Sequence, residues 1–208
     1  MTAAPVNAPP IRPAQASDVA TIAALLTDAV ATDPVAQWLV PDPTERQHVF
    51  HGLLAMEIDH AVEWGHVDVT LDMTAVAVWH HHPPVAGAAP LSDYHLSTFT
   101  GRALPRFQQL HTMLHQYRSR APHHWLTRLH VIPEARHHGI GRTLLTHHHQ
   151  RINQLGYPVD TVTTTSTVRD FLTRQGYHAG TPLHLHDGPQ LWPLRRATRP
   201  LPLTTTAD

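Results

Sequence analysis

The segment from Trp125 to Leu155 leaves the chain little choice of local structure. Residues 125–131 form a short, largely apolar run that Pro133 must end. A Gly-containing turn follows, and then Ile140, Leu144, Leu145, His148, Ile152 and Leu155 recur at the spacing of one helical face. The expected strand, turn and helix put Arg136-His137-His138-Gly139-Ile140-Gly141-Arg142 where a ligand can reach it. The glycines let backbone approach closely, and the helix start offers unpaired N–H groups at its positive end. Arg136 and Arg142 add full charges, a combination suited to a pyrophosphate. The plain alternative is that Gly139 only permits a tight turn.

Elsewhere the chain alternates helical and extended patterns. Ser17 can cap a helix over 17–31 with Val19, Ile22, Ala23, Leu26 and Val30 on one face. Asp42 and Pro43 can open a second that runs to Gly65, its stripe marked by Phe50, Leu53, Leu54, Ile58 and Ala61. Residues 67–71 and 75–79 read as a hairpin turning at Asp72-Met73, the second strand ending in the Pro-rich stretch 80–90. A helical region over 91–117 is interrupted by Pro105. After the glycine turn and its helix come a strand at 159–164, a helix at 167–174 ended by Gly176, and strands near 177–186 and 190–196 around Asp187-Gly188. Pro189 and Pro193 predict that the last strand lies at an edge. One domain over 11–196 is expected, with frayed ends at 1–10 and 197–208.

Composition narrows the function. The 208 residues carry a net charge of −1, which supplies no basic field for nucleic acid. No cysteine is present, so thiolate metal sites, disulfides and cysteine nucleophiles are excluded. No signal peptide and no apolar run of about 20 residues is evident, which predicts a cytoplasmic protein without a membrane anchor. All 15 basic residues are Arg, and there are 21 His. Coding bias explains that usage without any function.

The run from Trp125 to Leu145 resembles the acetyl-CoA-binding strand, loop and helix of the GNAT superfamily, V-x-P followed by R/Q-x-x-G-x-G/A, at Val131, Pro133, Arg136, Gly139 and Gly141. Phe171, Gly176 and Tyr177 look like that superfamily's second signature, N-x-x-F-Y-x-x-x-G-F. Asp33-Pro34, Trp38-Leu39, Pro41-Asp42, residues 75–79 and His124-Trp125 resemble the branch that contains puromycin N-acetyltransferase. The resemblance implies a mixed, mostly antiparallel twisted sheet flanked by helices, an α/β (α+β) fold splayed between the strands at 125–131 and 159–164. It implies acetyl-CoA in that opening, held by the backbone of Leu129, His130 and Val131 and by residues 136–143, Arg136, His137, His138, Gly139, Ile140, Gly141, Arg142 and Thr143. It further implies a primary amine on a small molecule as acceptor, an antibiotic or related metabolite, and a homodimer as one assembly to test. An enzyme of this kind transfers the acetyl group by direct amine attack, with a strand N–H facing the developing oxyanion.

The departures matter. The Tyr that often protonates the leaving thiolate is matched by Leu172, and the preceding Asn by Val168. Three readings stay open: solvent or a hydroxyl such as Thr165 or Ser166 serves, the thiolate leaves without a dedicated acid, or the chain is a non-catalytic acyl-CoA-binding or regulatory protein. His130 is the candidate base, because imidazole titrates at about pH 6.5, with His80, His124 and Glu63 behind it. His80-His81-His82 and His147-His148-His149 suggest a metal-binding protein as a third class. Consecutive helical side chains diverge and the first triplet is expected in a loop, so no metal site is expected. Tyr94, Phe99, Phe107 and Tyr117 form a stripe that fits either core packing or an acceptor pocket.

Overall fold

The computed structural model describes residues 9–82, 93–119 and 121–198. The expected frayed ends lie outside these, apart from residues 9–10 and 197–198, as does most of the Pro-rich stretch 80–90. The elements in order are β1 (Ile11–Pro13), α1 (Val19–Val30), α2 (Pro34–Leu39), α3 (Pro43–Trp64), β2 (His66–Thr70), β3 (Ala75–His82), α4 (Asp93–Thr100) and α5 (Leu104–Tyr117). They continue with β4 (His123–Val131), α6 (Ile140–Leu155), β5 (Val159–Thr163), α7 (Ser166–Arg174), β6 (His178–Ala179), β7 (Leu183–His184) and β8 (Gln190–Arg196). The sheet runs β1-β2-β3-β4-β5-β8-β6, with β7 also on β8, and every pairing is antiparallel except β4 with β5. Among the described residues no helix is long and apolar enough to cross a membrane.

Caps set the helix starts. Asp42 Oδ1 accepts from Glu45 N at 2.7 Å with Pro43 at the first helical position, as the sequence predicts. Such a cap contributes about 1 kcal/mol. The short α2 was not expected; it starts the same way, with Asp33 Oδ1 accepting from Val35 N and Ala36 N at 2.9 Å and Pro34 following. The interrupted region resolves into α4 and α5, with Pro105 in the first turn of α5, where its missing N–H costs no intrahelical bond.

The sheet has a core on each face. Val76 and Val78 of β3 pack with the α1 to α5 side, and Ala75, Ala77 and Trp79 pack with Ile140, Leu144, Leu145 and Ile152 of α6. That double burial explains why residues 75–79 are apolar without alternation.

Two expectations change. The strand β3 continues through His80, His81 and His82, which pair with Trp125, His124 and His123 of β4, so this triplet is strand and not loop. The strand β8 is interior, between β5 and the short β6 and β7. In an antiparallel ladder the N and O of one residue point to the same side. Pro193 O accepts from Gly180 N at 2.9 Å, so the missing Pro N–H faces the gap between β6 and β7, where no ladder bond is lost. The single strand expected near 177–186 is correspondingly two pieces.

Candidate active site

The cleft arises where β4 and β5 part. They pair only from His124 to Leu126 against Val159 to Thr161, although β4 runs on to Val131 and β5 to Thr163. Thr161 Oγ1 donates to Leu126 O at 2.8 Å at the last paired position. Beyond it, the edge of β4 facing β5 has no strand partner among the described residues. The opening therefore presents backbone donors and acceptors to a ligand, as a strand edge does.

A bulge sets which side chains face which layer. In the register with β3, Val78 opposes Arg128 and Trp79 opposes Leu126, leaving Thr127 as the extra residue. Leu126, Leu129 and Val131 turn toward α6 and α7, whereas Thr127 and Arg128 both turn toward α3. One inserted residue thus reverses the alternation along the strand.

At the mouth of the cleft, Gly139 (φ 80°) and His137 (φ 66°) adopt left-handed backbone just before α6. A Cβ built on Gly139 would meet no atom within 4 Å, so the turn faces open space. The first helical bond is Thr143 N to Gly139 O at 3.0 Å, and Thr143 Oγ1 donates to the same oxygen at 3.1 Å. The N–H groups of Ile140, Gly141 and Arg142 precede that bond, and no side chain caps them. Arg142 is exposed and forms no ion pair among the described residues, and Arg136 Nε donates to Val131 O at 3.0 Å. His138 is exposed and Ile140 is buried. These residues fit an acyl-CoA: an open strand edge for the amide-bearing arm and a cationic helix start for the pyrophosphate.

On the α3 side of β4 lies a cavity of about 220 Å³. Its walls are largely apolar, with Leu39, Phe50, Leu53, Phe107, Leu110 and Leu114 among them. Its polar lining comes from Asp33, Glu57, His80, His82, His111, Arg118, Thr127 and Arg128. Glu57, buried at 4% exposure, accepts from Arg128 Nε at 3.3 Å and Nη2 at 2.9 Å. Asp33 Oδ2 accepts from Thr164 Oγ1 at 2.7 Å, tying the end of β5 to the start of α2. Among the described residues, His80 Nε2, His82 Nε2, Arg118 Nε and Thr127 Oγ1 are buried without hydrogen-bond partners. Burial lowers the pKa of His80 and, with the Arg118 charge adding to it, brings that of His82 to about 3, so both imidazoles are neutral at pH 7.

His130 lies opposite Val76 and outside the cavity lining, with its pKa lowered by burial and by Arg136 against the opposing charge of Asp28. Of the other base candidates, His80 lines the cavity, Glu63 is exposed, and His124 faces His148 of α6 at 3.4 Å on the other side of the sheet. Thr165 Oγ1 accepts from Val168 N at 3.4 Å as the cap of α7. Leu172 is 2% exposed in the core between α6 and the sheet. Of the aromatic stripe, Phe107 lines the cavity and Phe99 packs on the core, while the side chain of Tyr94 lies outside the described residues.

Glu57, Arg118, Thr127 and Arg128 are not evident from sequence patterns. The one available signal is Glu57, a charged residue on the buried stripe of α3 between Leu54 and Ile58. The second His triplet diverges as expected, His147 exposed and His148 and His149 buried. The fold nevertheless brings His148 beside His66 and Asp68, with ligand atoms within 4.8 Å of one another.

No protein-family model and no curated protein sequence matches the chain. Solved structures do. A Corynebacterium glutamicum protein described as histone acetyltransferase HPA2 and related acetyltransferase superposes with a TM-score of 0.71 at 22% identity, over 95% of this chain and 99% of that one. An acetyltransferase of the GNAT family from Desulfovibrio desulfuricans gives 0.56 at 16% identity, over 91% and 99%. Arylalkylamine N-acetyltransferase 2 from Aedes aegypti gives 0.66 at 11% identity, over 91% and 99%. With its helix-flanked, mostly antiparallel sheet parted between β4 and β5, the chain has the fold of the GNAT acetyltransferases.

Proposed function

We propose that the chain is an acetyl-CoA-dependent N-acetyltransferase acting on a primary amine of a small molecule, in the cytoplasm where that donor is made. The observation that carries this reading is the β4–β5 opening with an uncapped, arginine-flanked helix start beside the end of β4, together with a partly polar cavity on the α3 face of the same strand. Acetyl-CoA supplies an activated thioester: the new C–N bond forms as the C–S bond breaks, and one proton passes from the amine to the departing sulfur.

The chain's residues supply position and proton traffic. The uncapped N–H groups of Ile140, Gly141 and Arg142, with Arg136 and Arg142 beside them, hold the pyrophosphate. The backbone of Leu129, His130 and Val131 holds the pantetheine arm. Within the cavity His80 is a better placed base than His130, being neutral, buried and unpartnered at Nε2. Thr127, whose hydroxyl has no partner among the described residues, stands where the strands separate and is the candidate to protonate the thiolate. Asp33, Leu39 and Trp125, three of the residues shared with the puromycin branch, line the same cavity, which supports a metabolite or antibiotic-like acceptor.

A second reading, an acyl-CoA-binding protein without transferase activity, is favoured by Leu172, whose apolar side chain is buried where an acid is customary. Calorimetric titration with acetyl-CoA, run beside a free-thiol assay against a panel of amines that includes puromycin, separates the two. Binding with amine-dependent thiol release supports the enzyme. Binding without release across the panel supports the second reading, and no binding removes both.

A further inference from the structure

We propose that the acceptor carries a carboxylate as well as an amine, and that Arg118 is the residue that binds it. This inference rests on the acceptor reading of the cavity given above.

The charged groups lining the cavity differ in how fully their polar atoms are engaged. Both oxygens of Asp33 are engaged, Oδ1 by Val35 N and Ala36 N and Oδ2 by Thr164 Oγ1. Both oxygens of Glu57 are engaged by Arg128. Among the described residues each carboxylate oxygen facing the cavity already accepts a hydrogen bond, whereas Arg118 forms no ion pair and its Nε has no acceptor. Its Nε is buried and has no partner among the described residues, its guanidinium carbon lies 4.9 Å from the centre of the Trp125 ring, and burial lowers its pKa. A guanidinium has donors only. A buried guanidinium N–H left without an acceptor is unfavourable, and an acceptor-only anion brought by the ligand is a partner that relieves it.

The neighbours of Arg118 fit the same ligand. His82, paired in register with His123, has its ring 6.5 Å from that of Trp125 and offers another unpartnered nitrogen. A neutral imidazole can donate one hydrogen bond to a carboxylate oxygen. The amine end belongs near Thr127, where β4 leaves β5. Trp125 and Thr127 are two residues apart on the same face, about 7 Å along a strand. The carboxylate and the reacting nitrogen therefore sit within a few bonds of each other, and the apolar walls take the rest of the molecule. The chemical class is an amino acid with an apolar or aromatic side chain, in contrast to amines that lack an acid group.

The test compares matched pairs, phenylalanine with phenethylamine and tryptophan with tryptamine, as acceptors for the full chain in the thiol-release assay. The wild type is expected to show a KM at least tenfold lower for the carboxylate member of each pair. In Arg118→Gln that preference falls at least tenfold, and Arg118→Lys retains part of it. Equal or better use of the decarboxylated amines by the wild type overturns the proposal, as does an unchanged preference in Arg118→Gln. A calorimetric titration with N-acetylphenylalanine separates this from failure of the transferase reading. If no amine releases thiol, binding of that ligand by the wild type and its loss in Arg118→Gln keep the carboxylate site while removing the enzyme. No binding to the wild type removes the site.

Discussion

Arg128 reaches Glu57 across 71 residues of sequence because Thr127 bulges out of β4 and turns the next side chain toward α3. Without the bulge, Arg128 would face the apolar layer under α6. The Glu57 side chain is 5% exposed and that of Arg128 is 33% exposed, so water screens the pair from one side only.

Breaking this pair should cost stability. Arg128→Met leaves a buried carboxylate without a partner, a change that costs about 3–5 kcal/mol when fully buried and is expected nearer 2 kcal/mol here because Arg128 is partly solvated. Adding Glu57→Leu should recover most of the loss, since two apolar groups leave no charge unpaired. Urea unfolding of the single and double variants reads this directly. Additive losses would show that the two residues do not act as a pair.

The turn at Gly139 allows a charge test that separates electrostatics from backbone strain. Its φ of 80° is unfavourable for side chains in general, but Asn and Asp tolerate it better than most and nearly share a shape. Gly139→Asn and Gly139→Asp should both fold, and the space beyond the turn accommodates either. Gly139→Asp should bind acetyl-CoA at least tenfold more weakly than Gly139→Asn by setting a carboxylate against the pyrophosphate. Equal affinities by calorimetry would place the pyrophosphate elsewhere.

Much of this architecture is legible in the sequence because it is locally encoded. The Asp42-Pro43 start of α3, the Asp72-Met73 hairpin and the strand, glycine turn and helix over 125–155 depend on neighbours a few residues apart. The parts that escape are those set by partners far along the chain. Pro193 indicates an edge, yet β8 is interior because the proline faces a gap between β6 and β7 that no local pattern announces. His80, His81 and His82 belong to a strand because residues 123–125 pair with them. The cavity escapes for the same reason, its polar lining being drawn from the cap of α2, from α3, β3 and β4, and from α5 and the residue that ends it.

Leu172 marks where the superfamily pattern suggests an acid, and adding a hydroxyl there is the obvious attempt at a gain of activity. The structure predicts the opposite. Leu172 is buried in the layer formed by Leu144, Leu145, Tyr177 and Leu194. Leu172→Tyr must fit extra volume and a phenol into that layer, which costs about 1–3 kcal/mol by overpacking. Thermal unfolding should show a lowered midpoint, and thiol release should not rise. A stable variant with faster turnover would mean that position 172 faces the cleft.

Acid should unfold this protein well above the range in which carboxylates titrate. His124 and His149 are both 7% exposed, and burial, with nearby His148 for the first and Arg196 for the second, brings each pKa to about 3. In the unfolded chain an imidazole titrates at about 6.5. The folded value is the lower one, so protons bind the unfolded state preferentially once pH drops below about 6.5. The stability conferred by each neutral ring is therefore complete above that pH and is lost as pH falls toward 3. At pH 5 the loss is about 2 kcal/mol per residue, or about 4 kcal/mol for the two together. His149 Nε2 and Tyr177 Oη are hydrogen-bonded at 2.8 Å, so His149→Gln can keep a polar partner for the phenol without titrating. Denaturant unfolding at pH 7 and pH 5 should show the full drop in the wild type and about 2 kcal/mol less in His149→Gln. Equal stabilities at the two pH values would show that these rings are not held neutral by the fold.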